Sequence, residues 1–168
     1  GRDAELHQAF HEIASQADIL IGNEEDFQLC LGFEGPETGG KDLSEKIDSF
    51  KGMISQVKER YPHTRMFATT LRQVLSANEH LWGAILLADG QWYVEEPRPI
   101  QVLDRIGGGD CFTGGLLYGI SKGWNAQKCL EFGWSCGVLA ASSLNDYAEP
   151  ADEAQLFSIY AGNARVQR

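Results

Sequence analysis

Asp104-Arg105-Ile106-Gly107-Gly108-Gly109-Asp110 lies between an extended run, Ile100-Gln101-Val102, and a helical apolar run that opens at Cys111. Glycines lack the Cβ atoms that would keep a ligand off the backbone, and at the start of a helix the N–H groups have no intrahelical acceptor. With the helix dipole added, such a turn is built to hold an anion such as a phosphate. A carboxylate in that place is repelled by the anion and needs another task. The task that fits is that of a base, taking the proton from a hydroxyl that attacks the phosphate. The structural alternative for Asp110 is a helix N-cap. The stretch points to phosphoryl transfer to an alcohol.

Working outward, Leu6, Phe10, Ile13 and Ala17 follow helical spacing and give way to the strand-type run Ile19-Leu20-Ile21. Glu24 to Leu31 reads as a short helix ended by Gly32, and residues 35–40 as a loop. Leu43, Ile47, Phe50, Ile54, Val57 and Tyr61 form the apolar stripe of a long helix closed by Pro62. Met66-Phe67-Ala68-Thr69 is the next strand. Trp82 to Ala88 and Gln91 to Val94 are joined by Asp89-Gly90, the hairpin dipeptide whose residues accept positive φ. After the glycine turn come helices from Asp110 to about Lys122 and from Ala126 to about Ser143, separated by Gly123, and a last one near Ala151. Gly115 and Gly119 are expected to let the first of these approach the sheet. Strands alternating with helices predict an α/β fold with a mostly parallel central sheet and helices on both faces.

The 168 residues carry a formal charge of -10, with a pI near 4.8. That balance argues against nucleic acid and anionic membrane surfaces, which call for clustered Lys and Arg, and favours small polar metabolites. No apolar run approaches the roughly eighteen residues of a membrane span. Cys30, Cys111, Cys129 and Cys136 have no CxxC spacing and read as reduced, buried thiols of a cytoplasmic protein. His7 and His11 stand four apart on a helix without a third ligand, and read as a solvated face.

The turn and the small-residue helix after it, Cys111-Phe112-Thr113-Gly114-Gly115-Leu116-Leu117, resemble the D-T-x-G-A-G-D signature of the ribokinase-like (pfkB-type) carbohydrate kinases. Arg105 and the run Gly107-Gly108-Gly109 look most like the 2-keto-3-deoxygluconate kinases. Residues 18–25, 68–72, 145–150 and Arg165-Val166-Gln167-Arg168 agree in order along the chain. The resemblance implies a ribokinase-like fold, ATP and Mg²⁺ as cofactors, and a sugar acid phosphorylated on its terminal hydroxyl. It also implies that residues 1–168 are the C-terminal, nucleotide-binding part of the kinase, whose lid and most sugar contacts lie in an N-terminal half outside this sequence. A homo-oligomer is compatible with it.

Residue by residue, the resemblance makes Asp110 the catalytic base that also touches the substrate hydroxyl, and Gly107, Gly108 and Gly109 the anion hole. Asn23-Glu24-Glu25-Asp26 is similar to the family's N-x-x-E motif, which implies nucleotide contact at Asn23 and indirect Mg²⁺ organisation by Glu24, Glu25 or Asp26. The alternative for these acids is the helix dipole. Thr70 and Arg72 are placed after a strand, where the family's nucleotide-binding loop starts, and Trp134 near its adenine pocket, with a core aromatic as the alternative. Asp146 matches a substrate-binding Asp, although Asn145-Asp146 also suits a plain turn.

Other readings of the glycines fit less well. In G-x-G-x-x-G the third glycine would fall on Phe112, and no Gly-Lys-Ser/Thr of a phosphate loop follows. The rivals on the same fold are a fructokinase or related sugar kinase, and a catalytically silent binding or regulatory protein.

Overall fold

The computed structural model describes residues 2–35 and 43–162. Residues 36–40 of the expected loop at 35–40 and the terminal Arg165-Val166-Gln167-Arg168 segment lie outside the described residues. The element order is α1 (Asp3–Ala14), β1 (Ile19–Ile21), a short π-wound helix (Asp26–Cys30), α2 (Leu43–Arg60), β2 (Met66–Val74), β3 (Glu79–Ala88), β4 (Gln91–Gln101), α3 (Gly108–Ser121), α4 (Ala126–Ala141) and α5 (Glu153–Tyr160). The chain forms two compact units, Gly1–Thr69 with Leu86–Trp92, and Thr70–Ile85 with Tyr93–Arg168.

The four strands follow the order β1-β2-β3-β4. β1 and β2 run parallel, with Ile19, Leu20 and Ile21 opposite Met66, Phe67 and Ala68, and the long connection through α2 is the crossover that a parallel pair needs. The sheet as a whole is mixed. Four residues between β2 and β3, and two between β3 and β4, are too few for a crossover, so this part is a meander where the sequence reading expected mostly parallel strands. Asp89 at φ 49° and Gly90 at φ 80° make the expected two-residue hairpin turn.

In the first unit the stripe on α2 is buried from Ile47 onward as its spacing requires: Phe50, Ile54 and Val57 are at most 1% exposed, each contributing about 1.5–3 kcal/mol over an exposed position. Phe27 meets Phe50 edge to face at 6.0 Å between centroids. α1 forms as expected, but its buried residue is Ala14, while Leu6 and Ile13 are 49% and 67% exposed. The two histidines of α1 bond within the unit, His7 Nε2 to the carbonyl of Leu29 at 2.8 Å and His11 Nδ1 to the Tyr61 hydroxyl, so they fasten the helix rather than face solvent. Burial, with Arg60 and His7 nearby, holds the His11 imidazole below its usual pKa.

In the second unit α3 packs on α4 through small residues. A Cβ on Gly115 would stand 2.6 Å from Cys136 Sγ and 3.0 Å from Gly133 Cα, and one on Gly119 2.9 Å from Cys129 Sγ. These glycines therefore serve a helix pair, and the expected approach to the sheet is corrected on that point. Of the cysteines, all free, only Cys129 is fully buried. Glu95 of β4, 5% exposed, accepts hydrogen bonds from Gln127 Nε2 of α4 at 2.7 Å and from the Tyr160 hydroxyl of α5 at 3.1 Å. Arg98 donates to the Tyr160 carbonyl at 2.7 Å, and its guanidinium lies 3.8 Å from the centre of the Trp134 ring. One strand and two helices are joined by this polar group.

Candidate active site

Gly107 has φ 78° and is the N-cap of α3, with no side-chain cap from a described residue. Gly108, Gly109 and Asp110 are the first three helical residues, so their N–H groups have no acceptor within the helix. Asp110 is thus not the N-cap. It sits at the third helical position, exposed, and among the described residues its carboxylate has no hydrogen-bond or ion-pair partner. A carboxylate needed only for the fold would be spent on a backbone donor.

Each glycine has its own reason. At Gly107 the left-handed φ favours glycine, and a Cβ would fall inside the backbone carbonyl of Asp146. At Gly108 a Cβ would stand 3.3 Å from the Trp82 ring, which floors the turn. At Gly109 a Cβ would meet nothing within 4 Å. Packing asks nothing of Gly109, and the open space above its Cα is what a phosphate approaching the helix start requires.

Asp146 shares more than that contact with the turn. An open cavity of about 500 Å³ is lined by Asp110, Cys111 and Asp146, with Tyr118, Phe132 and Leu156 among the residues of its apolar wall. The geometry therefore brings Asp110, Gly107 and Asp146 together. Cys111, which the sequence reading passed over as a buried thiol, is half-buried in the same cavity, and its Sγ accepts the N–H of Ala148 at 3.3 Å.

The remaining sequence candidates divide. Thr70 and Arg72 lie within β2, which continues to Val74, and not in a loop after it as expected. Arg72 is exposed, and together with Arg105 of the glycine turn it bears on the buried imidazole of His80, whose pKa is lowered first by burial and then by these two charges. Trp134 is 3% exposed, donates its indole N–H to the Trp82 carbonyl at 2.9 Å and is covered by Arg98, so its ring belongs to the core of the second unit. Asn23 Oδ1 accepts the Asp26 N–H at 2.9 Å while Asp26 Oδ2 accepts the Asn23 N–H at 2.8 Å. This reciprocal cap commits both side chains to the helix start. Glu24 and Glu25 take no part in this cap. Among the described residues no group of three His, Cys, Asp or Glu side chains could hold a metal ion by itself. The free amides of α3 and the bare face of Gly109 fit a nucleotide phosphate, and a metal in this site would need the phosphates as ligands.

The chain belongs to the pfkB family of carbohydrate kinases, whose profile matches residues 2–153. It is similar to a 5-dehydro-2-deoxygluconokinase of Clostridium tetani, 30% identical over 142 residues that cover 83% of this chain and 36% of that protein. A Clostridium botulinum relative of the same name is 34% identical over 132 residues, 78% of this chain and 33% of the relative. Among solved structures, the 2-dehydro-3-deoxygluconokinase of Thermotoga maritima superposes with a TM-score of 0.83 at 24% identity, over 95% of this chain and 47% of that one. An Enterococcus faecalis structure with the provisional name 2-keto-3-deoxygluconate kinase gives 0.78 at 27% identity, over 100% and 48%. The ribokinase-like α/β fold that the resemblance implies is the fold of this chain. The chain spans about a third of the length of the curated relatives it matches and about half of these solved chains. No described helix is long and apolar enough to cross a membrane.

Proposed function

We propose that this chain is the C-terminal, nucleotide-binding part of an ATP-dependent, Mg²⁺-requiring sugar kinase that phosphorylates the terminal hydroxyl of 2-keto-3-deoxygluconate. The observation that carries the reading is the unpartnered Asp110 carboxylate one turn inside an uncapped glycine turn. Asp110 takes the proton of the attacking hydroxyl, the hydroxyl oxygen bonds to the γ-phosphorus, and the bond to the bridging oxygen of ADP breaks. The amides of Gly108 and Gly109 meet the negative charge on the transferred group. Mg²⁺ would supply charge neutralisation at the phosphates, and Glu24 and Glu25 are the acids assigned to it. Arg72 and Arg105 add fixed positive charge, and Asp146 holds the sugar in the cavity it shares with Asp110. An Escherichia coli structure of the same fold, 18% identical with a TM-score of 0.65, is a complex with ATP and Mg²⁺.

The named relatives support a deoxy keto acid on the gluconate skeleton and differ in where the ketone stands, at carbon 5 in the curated relatives and carbon 2 in the structural ones. The test is ADP release by the longest natural chain carrying this segment. Substrates would be 2-keto-3-deoxygluconate, 5-keto-2-deoxygluconate, fructose and ribose. Preference for the first is the expected result. Preference for the second moves the ketone, preference for fructose makes the chain part of a fructokinase, and silence on all four defeats the kinase reading.

A further inference from the structure

We infer that Cys111 is a positioning residue that ties the loop bearing Asp146 to the helix bearing Asp110, and so fixes the separation of the two carboxylates that face the sugar. The inference rests on the phosphoryl-transfer reading of this cavity. Three observations carry it. Cys111 follows Asp110 on α3, and its Sγ accepts the N–H of Ala148, two residues beyond Asp146, at 3.3 Å. On the other side of Asp110, Gly107 packs against the Asp146 carbonyl so closely that no Cβ fits. The loop is therefore held at both ends of one helical turn, with Asp110 between the two holds. Finally, Asp110, Cys111, Asp146 and Tyr147 line a single cavity, in which Asp146 and Tyr147 are exposed and, among the described residues, have no side-chain hydrogen bond of their own.

The chemistry explains why a thiol suits the position. Sulfur is a weak acceptor but a long-reaching one, and a thiol has little competition for the helix carbonyl one turn back. A serine hydroxyl at the same place can turn to that carbonyl. Releasing the loop leaves Asp110 and the phosphate turn in place, so the loss should appear in how well the sugar is held rather than in proton transfer. That pattern separates positioning from general damage to the fold.

The test compares wild type, Cys111→Ala and Cys111→Ser in the longest natural chain. Cys111→Ala should raise KM for the sugar about three- to tenfold with kcat changed by less than about threefold. Cys111→Ser should recover part of the loss, and KM for ATP should hold in both. In ligand-free protein the Ala148 amide of Cys111→Ala should exchange its hydrogen about tenfold faster or more, while amides of α4 keep their protection. An unchanged Ala148 rate overturns the tether, and so does a fall in kcat with KM unmoved. Turnover of wild type on the sugar panel is measured first, so a silent wild type defeats the kinase reading while the exchange comparison still decides the tether.

Discussion

Tyr160 near the end of α5 donates its hydroxyl to Glu95 Oε1 on β4 at 3.1 Å, and the acceptor is an acid that is 5% exposed. Burial pushes the Glu95 carboxyl above its ordinary value of 4.5, with Glu131 adding to the rise and Tyr160, Arg98 and Gln127 opposing it. A folded-state pKa above the unfolded one means that the contribution to stability is complete below the unfolded carboxylate pKa and is lost as pH rises through the folded value. Wild type should therefore lose stability relative to Glu95→Gln over the pH range that begins at the ordinary carboxylate pKa and runs upward from it. Urea unfolding of both proteins across that range is the check. A difference that stays flat, or that favours wild type increasingly with pH, would contradict it.

Asp110→Asn should lower kcat at least about a hundredfold and leave nucleotide affinity nearly intact, because removing a general base acts on the chemical step alone. Steady-state kinetics paired with nucleotide titration separates the two quantities. Near wild-type turnover would remove Asp110 from the role of base.

Gly107 and Gly109 should respond in opposite ways. Gly107→Ala meets both a left-handed backbone and the Asp146 carbonyl, and should cost at least about 1–3 kcal/mol of stability. Gly109→Ala has open space around its Cβ and gains helix propensity, so the fold should stay level or gain up to about 1 kcal/mol. Its activity should nevertheless drop, since the methyl stands where the phosphate comes. Thermal melts beside kinetics give the answer, and a Gly109→Ala enzyme with full activity would show that no anion approaches there.

The α3–α4 contact yields a stability pair. A Cβ on Gly133 would stand 2.9 Å from the Phe112 carbonyl oxygen and 3.2 Å from the Leu116 nitrogen, both backbone atoms. Gly133→Ala should cost about 1–3 kcal/mol through displacement of α3. Gly114→Ala on the open side of α3, where nothing lies within 4 Å, should cost nothing. Equal melting points for the two variants would refute the close-packed account.

Much of this architecture is written locally. The Asp89-Gly90 hairpin, the stripe from Ile47 to Tyr61 and the glycine start of α3 each follow from backbone preference or periodicity, and each forms where the sequence places it. The misreadings share one cause. Thr70 and Arg72 looked like loop residues because β2 was ended at Thr69, although Leu71 between them is buried as a strand residue should be. Trp134 and the partner of Gly115 depend on what lies across a packed interface, which no spacing reveals. The Cys111–Ala148 bond spans 37 positions and joins two residues with no marked preference for each other. Asp26 was legible in principle, since Asn three residues before an acid is a helix-start pattern.

His80, buried on β3, feels Arg72 and Arg105 and is held below the usual imidazole range by burial and by those two charges. Burial and the two guanidinium charges thus disfavour the protonated imidazole. Arg105 of the glycine turn and Arg72 carry guanidinium groups, which remain charged at any working pH. On a chain of formal charge -10, that makes a small permanent pole in a repulsive field. The attraction of these guanidinium groups for an incoming polyanion is one that added salt weakens.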